Sequence, residues 1–287
     1  MNEAYYRRKA EEHERARRYL KSQERFWLLF WFALVGLTVA GLLCSSKARG
    51  AEPLPLPLPP TSKTCTAIYA PEIQLPKGVK GAWGQQSKMW PQNSTLRVRF
   101  VTGTARQKAE AWKRFQVVDA LVNLSFVEVT TGASDIRVRF DRLKGHWSYV
   151  GTDCRKQPAS APTMNLELSA AVIGGDFADE WDRVAIHEIC HAIGLEHEHQ
   201  SPLAVQLIWN KPAVYAYYRQ MQGWTQQQTD FQVINRSRAT NILTTGWDPR
   251  SIMEYPIPQG LANITVGWNL QLTASDKALL QRIYPVK

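Results

Sequence analysis

The segment HEICHAIGLEHEH (187–199) constrains the fold more than any other, because it contains four of the chain's six histidines. His187 and His191 are four residues apart, so a helix places both side chains on one face, one turn apart. Gly194 allows a sharp turn after that helix, since glycine adopts positive φ at little cost. The spacing therefore predicts that His197 returns toward His187 and His191.

Three neutral imidazole ligands around one open position are the arrangement of catalytic zinc sites. We therefore predict that His187, His191 and His197 bind one zinc ion (Zn²⁺). Glu188 is rotated by about 100° from His187 on the helix, so it would flank the metal and act as the general base and acid. His199 is a rival third ligand, but the spacing from the glycine favours His197, and His199 is expected at the surface.

The first fifty residues combine a basic tail with an apolar segment. Eight Lys/Arg residues precede Phe26–Cys44, which has no charged residue and is long enough to span a bilayer. This charge distribution predicts that the tail is cytoplasmic and that the rest of the chain lies outside. Two alternatives stay open. An uncleaved anchor would make a single-pass membrane protein, and a signal segment cleaved near Gly50 would make a secreted one.

Composition then divides the chain into four parts. We predict a basic tail (1–25), a transmembrane or signal segment (26–45), a proline-rich linker or pro-segment (46–82) and a catalytic domain (83–287). The stretch AEPLPLPLPP (51–60) reads as a stiff extended spacer, because its prolines exclude a helix or a central strand.

Periodicity predicts both strands and helices in the C-terminal part. Strands are predicted over 94–101, 125–131, 134–141 and 162–168, and helices over 104–124, 179–195 and 274–285. Ser275 is the expected N-cap of the last helix.

The net charge of +10 is unevenly distributed along the chain. Beyond residue 50 there are 25 basic and 20 acidic residues. This near balance, without a basic stripe, predicts no nucleic-acid partner.

Three cysteines follow the apolar segment, where disulfides persist. They allow at most one pair within the chain, and Cys65–Cys154 is preferred. Cys190 lies on the helix of the zinc motif, where a thiolate would compete with the water, so it is predicted to be a small buried apolar residue.

A second motif, DPRSIMEYP (248–256), follows the zinc motif after about fifty residues. Together the two motifs resemble the metzincin metalloproteases, which pair the long zinc motif with a later Met-turn. The match is closer to the astacins, where a glutamate follows the third histidine, as Glu198 does here. The residues that match the astacin turn are Ser251, Ile252, Met253 and Tyr255. The wider resemblance covers about residues 89–285.

The resemblance implies a metzincin-type (zincin-like) α+β catalytic domain with a twisted sheet, an active-site helix and an irregular C-terminal subdomain. A cleft between the two parts would bind an extended peptide. Met253 would form an apolar floor under the zinc, and Tyr255 would supply a phenol as an additional ligand or as a donor to the oxyanion. The strand SDIRVRF (134–140) would pair through its edge with the substrate. His146 is expected either to line the cleft or to lie at the surface.

Some features depart from the family pattern. Glu254 stands where astacins usually have histidine, and neither the usual cysteine framework nor the usual inhibitory pro-segment motif is evident. Cys65 could cap the zinc as a thiolate before activation, as an alternative to a disulfide or a free thiol.

These observations predict a zinc-dependent endopeptidase that acts on peptide or protein substrates. The alternative is a non-catalytic, zinc-stabilised, extracytoplasmic binding module. Glu188 argues against that alternative, because a binding module needs no carboxylate at this position.

Overall fold

The structure, a computed structural model, describes residues 66–68, 83–142, 144–167 and 178–286. The basic tail, the apolar segment Phe26–Cys44 and the proline-rich stretch 51–60 lie outside the described residues. Among the helices of the described ranges, none combines the length and the apolar character that crossing a membrane requires. The described residues all belong to one compact unit, Leu56–Lys287.

The secondary structure alternates short strands with a few helices. The strands are β1 (Thr66–Ile68), β2 (Trp83–Gln85), β3 (Thr95–Phe100), β4 (Ser125–Glu128), β5 (Ile136–Arg139), β6 (Trp147–Tyr149), β7 (Met164–Asn165) and β8 (Ile242–Thr244). The helices are α1 (Ala105–Asp119), α2 (Ala178–Ala192), α3 (Lys211–Gln222), α4 (Gln226–Thr229), which continues as a π-helical turn at Asp230–Ile234, and α5 (Ala274–Ile283). The predicted α+β class is confirmed.

Six strands form the main sheet in the order β1-β6-β7-β5-β3-β4, and β2 pairs separately with β8. In the main sheet β6 is antiparallel to β7, whereas the other neighbouring pairs are parallel. Strand β3 alternates as its sequence predicts, with Leu96, Val98 and Phe100 buried. These residues cover the face on which α1 and α2 pack.

The predicted substrate edge at SDIRVRF is wrong. Strand β5, which forms the centre of that segment, lies between β3 and β7 and has no open edge. The antiparallel strand β6 lies beyond β7, and its outer side pairs with β1 in parallel register, Thr66 opposite Trp147. Strand order depends on pairing between distant segments, so the alternation within one segment does not reveal it.

The N-cap of helix α5 lies two residues before the predicted cap. Thr273, and not Ser275, is the N-cap: its hydroxyl accepts a hydrogen bond from the Asp276 backbone, and the Asp276 side chain accepts one from the Thr273 backbone. This capping box needs an acidic or amide residue three positions after the cap, which Thr273 has and Ser275 lacks. The Ser275 hydroxyl instead donates to Asp248.

The buried hydrophobic residues form two clusters. The larger one lies between the sheet and helices α1, α2 and α5, with Phe115, Ile136 and Ile189 among its fully buried members. The second lies in the irregular C-terminal part, around Val214 and Tyr255. The helix with the zinc motif therefore belongs to the first cluster, and Tyr255 of the Met-turn belongs to the second.

Candidate metal centre and active site

Helix α2 presents His187 and His191 on one face, because they are four residues apart, while Ile189 and Cys190 of the same helix pack in the core. The Nδ1 atom of His187 lies 2.7 Å from the Ile252 carbonyl, and that of His191 lies 2.7 Å from the Leu195 carbonyl. A carbonyl can only accept, so each Nδ1 carries the proton and each Nε2 keeps a lone pair. This is how buried metal ligands are usually oriented.

The turn after α2 brings in the third histidine. Gly194 has φ of 107°, and its backbone amide donates to the His191 carbonyl at 2.8 Å. The chain then reverses, so that Nε2 of His197 lies 3.0 Å from Nε2 of His191. One ligand atom from each of His187, His191 and His197 lies within 4.8 Å of the others. The predicted convergence of these three side chains is thus present.

These three imidazoles fit a divalent metal. All are buried, and within the described residues Nε2 of His187 has no hydrogen-bond partner. Burial lowers the pKa of His187 and of His197 well below 6.5 and lowers that of His191 to about 4. The rings are therefore neutral near pH 7 and have lone pairs available to a cation.

Glu188 and Tyr255 complete the predicted set. Glu188 follows His187 on α2 and is fully buried. The Tyr255 ring is buried against the His197 ring, with centroids 4.4 Å apart and planes at 62°. Met253 is also buried, and its carbonyl accepts a hydrogen bond from the Glu198 backbone at 3.0 Å. Burial raises the pKa of the Glu198 carboxyl well above its ordinary value.

The Met-turn is held by Asp276, which the sequence did not single out. The Asp276 carboxylate accepts hydrogen bonds from the Ser251 hydroxyl at 2.5 Å and from the Ile252 backbone at 3.0 Å. The carbonyl of the same Ile252 contacts His187. Asp276 is thus linked to His187 through Ile252. Its capping sequence, TASD (273–276), would have revealed a helix start but not this contact.

A segment at the start of the catalytic domain holds the loop of the third histidine. The Trp83 indole donates to the His197 carbonyl at 2.9 Å, and the Glu196 backbone donates to the Trp83 carbonyl at 3.0 Å. Buried Lys88 places its ammonium 3.4 Å from carboxylate oxygens of both Asp153 and Glu196. Single charged residues carry no periodic signal, so this cluster was not predicted from the sequence.

Two histidines outside the triad are also buried. The prediction that His199 lies at the surface is wrong, because its side chain is fully buried beside Glu254. His146 is buried too, and its Nδ1 accepts from the Glu167 backbone at 3.0 Å, so the surface alternative for His146 is wrong. Sequence spacing does not distinguish a histidine packed behind a ligand from one in solvent.

Cys154 and Cys190 are buried, and neither forms a disulfide with another cysteine of the described residues. Burial raises the pKa of Cys154 to about 12 and that of Cys190 well above 9.0, so both are protonated at neutral pH. The expectation of a small buried residue at position 190 is confirmed. Cys65 lies outside the described residues, so its preferred pairing with Cys154 and its alternative role at the zinc stay predictions.

Comparison with known proteins gives a consistent set of structures. Neither protein-family models nor curated proteins match the chain. Among solved structures, one of myroilysin matches with 31% identity and a TM-score of 0.68, over 71% of this chain and 99% of that one. A crystal structure of myroilysin matches with 28% identity and a TM-score of 0.58, over 84% and 100%. High choriolytic enzyme 1, a hatching enzyme zinc-protease from the medaka Oryzias latipes, matches with 16% identity and a TM-score of 0.48, over 70% and 96%.

Proposed function

This chain belongs to the astacin-like metzincin zinc metalloproteases and is a metalloendopeptidase, and from that premise we propose how its own residues perform peptide hydrolysis. His187, His191 and His197 hold the zinc ion. The observation that supports this assignment most directly is the convergence of one nitrogen from each buried ring within 4.8 Å. A zinc ion bound there would act as a Lewis acid on the scissile carbonyl and on the attacking water.

Glu188 is proposed as the proton carrier of the reaction. Its carboxylate takes a proton from the water that attacks the carbonyl carbon, and the protonated carboxyl then gives that proton to the leaving amine. Its place beside His187 and its complete burial support this role, because they put the carboxylate next to the proposed metal and away from bulk water.

Tyr255 is proposed to stabilise the transition state. As the water attacks, negative charge develops on the carbonyl oxygen, and a phenol that points at this oxygen can donate a hydrogen bond to it. The contact between the Tyr255 and His197 rings supports this assignment, because it puts the tyrosine next to the third proposed ligand.

Strand β6 is proposed as the edge with which an extended substrate pairs. It is the strand beyond β7, and its outer side already accepts a strand, Thr66–Ile68, from upstream in the chain. The backbone groups on this outer side of β6 pair with β1, so a peptide substrate could use them only by replacing β1.

The N-terminal part is proposed to carry the enzyme outside the cytoplasm. The segment Phe26–Cys44 would serve as an uncleaved anchor or as a signal cleaved near Gly50, followed by the linker or pro-segment 46–82 and the catalytic domain 83–287. The non-catalytic binding module is set aside, because the family is enzymatic and Glu188 is present beside His187.

The test uses the full chain and a reduced, alkylated protein as substrate. Cleavage is measured with and without a zinc chelator, and before and after limited proteolysis, since β1 occupies the proposed substrate edge. Glu188→Gln should bind zinc normally but lose activity by about 10²- to 10⁴-fold. Glu128→Gln, at an exposed position of β4, is the matched control. Cleavage that resists the chelator, or full activity of Glu188→Gln, would contradict the proposal.

A further inference from the structure

Two buried side chains that have no role in the proposed reaction lie directly behind the site. His199 and Glu254 are both fully buried, and Nδ1 of His199 is 3.3 Å from Oε1 of Glu254. The other ring nitrogen of His199, Nε2, is 3.2 Å from the Gln232 carbonyl. The imidazole therefore contacts the π-helical turn through Nε2, while Nδ1 lies beside the Glu254 carboxylate without a hydrogen bond to it.

The ring of His199 packs against the rings of both Tyr255 and His197. Its centroid is 4.3 Å from that of Tyr255, with planes at 40°, and 5.3 Å from that of His197, with planes at 23°. Because the Tyr255 and His197 rings also touch each other, the three rings form one closed contact group. A displacement of His199 would change the space in which the Tyr255 ring rests.

Glu254 contacts the same tyrosine from the backbone side. Its Oε1 accepts a hydrogen bond from the Tyr255 amide at 2.9 Å, and its Oε2 accepts one from the Trp247 indole at 2.9 Å. One carboxylate therefore accepts from the backbone of Tyr255 and lies beside the imidazole that packs on its phenol. Burying a carboxylate is costly unless several donors satisfy it, and these contacts provide them.

Position 254 is also where the turn departs from the astacin pattern. Within Ser251–Tyr255, Glu254 is the residue that differs from the family, and His199 is a side chain that meets it. The departure thus coincides with a specific buried contact next to the proposed oxyanion donor.

We propose that His199 and Glu254 are positioning residues that hold the Tyr255 phenol in its reactive orientation beside the third zinc ligand. This inference rests on the proposed function of Tyr255. It assigns no contact with substrate or metal to either residue. Their effect on the reaction passes through Tyr255.

The test combines each change with Tyr255→Phe in the full chain. Glu254→Ala and His199→Ala should each lower kcat by about 10- to 100-fold, the usual effect of removing a group that orients an active residue. KM should stay unchanged, because a donor that acts only in the transition state does not contribute to ground-state binding. In the Tyr255→Phe background the same changes should lower kcat less than twofold, since the phenol is already absent.

Two further measurements separate positioning from general damage. Zinc affinity, measured by competition with a chromophoric chelator, should change less than twofold in both variants. Glu254→Gln, which keeps an oxygen that can accept from the Tyr255 amide, should recover part of the kcat lost in Glu254→Ala. This conservative variant also keeps the test valid if the alanine variants fold poorly. Glu128→Gln again serves as the exposed control.

The outcomes distinguish this inference from the function on which it rests. Equal losses in the Tyr255 and Tyr255→Phe backgrounds, or a loss of zinc affinity, would overturn the positioning role while chelator-sensitive, Glu188-dependent cleavage still supported the endopeptidase. Full activity of Tyr255→Phe would overturn both the role of Tyr255 and the positioning role. Cleavage independent of zinc and of Glu188 would instead overturn the proposed function itself.

Discussion

The two walls of the site are built in different ways. One wall is helix α2, which carries His187, Glu188 and His191 within five residues of the chain. The opposite wall contains His197 and Tyr255, which come from separate irregular segments and meet only in the folded chain. The geometry of the first wall follows from the period of a helix, whereas that of the second depends on long-range contacts.

Buried polar groups replace regular structure in the second wall. Asp276 holds the Met-turn, Lys88 is buried against the loop that carries His197, and Glu254 contacts the Tyr255 backbone. Each is a charged side chain that the fold has removed from water, so its contacts must be complete to be stabilising. The comparison implies that the helical wall is sensitive mainly to loss of a ligand, and the irregular wall also to loss of the residues behind it.

The largest effect is expected from removing a ligand on the helical wall. His191→Ala should abolish stoichiometric zinc binding and lower cleavage by on the order of 10³-fold or more, since the metal provides several kcal/mol of transition-state stabilisation. Zinc content by atomic absorption and cleavage of the unfolded substrate measure the two effects. His13→Ala, in the N-terminal tail, is the matched control. A full equivalent of tightly bound zinc in His191→Ala would contradict the ligand assignment.

The next effect tests the irregular wall without touching a ligand. Lys88→Met removes the ammonium between the buried Asp153 and Glu196 carboxylates. Asp153 keeps its ion pair with Lys156, but the buried pair with Glu196 is broken, which costs about 3–5 kcal/mol. Lys113→Met is the contrast, because Lys113 is 63% exposed and its pair with Glu110 should contribute less than about 1 kcal/mol. Urea unfolding measures both. Equal losses in the two variants would remove the distinction between buried and exposed pairs.

A smaller effect is expected from the Met-turn. Asp276→Asn places an amide where the carboxylate accepts from Ser251, Ile252 and Thr273, so the turn should loosen behind His187. We expect zinc affinity to fall by about 10- to 100-fold with all three ligands present. Asp182→Asn, at a half-exposed position of α2, should leave the affinity unchanged. An unchanged affinity in Asp276→Asn would show that the Ile252 carbonyl needs no support from α5.

The same contrast explains what could be predicted from the sequence. The period of α2 and the turn at Gly194 are local properties, so the convergence of the three histidines could be predicted. The position of β6 between β1 and β7 could not, because it follows from pairing between distant segments. The contact between His199 and Glu254 joins two distant segments, and no pattern in either of them indicates a partner. Prediction therefore succeeded for the helical wall and was incomplete for the irregular one.

The smallest effect concerns a buried histidine away from the triad. Burial lowers the pKa of His146 from 6.5 to about 4, so the folded state disfavours the protonated ring that the unfolded state accepts below pH 6.5. Stability from this residue is therefore complete above pH 6.5 and is lost as the pH falls toward 4. Between pH 7 and pH 5 the loss should be about 2 kcal/mol. His146→Gln cannot take up this proton, so its free energy of unfolding, measured in urea with chelator present to remove the contribution of zinc, should fall less over the same interval. If wild type and variant lose the same stability, the acid sensitivity belongs to other titratable groups and not to His146.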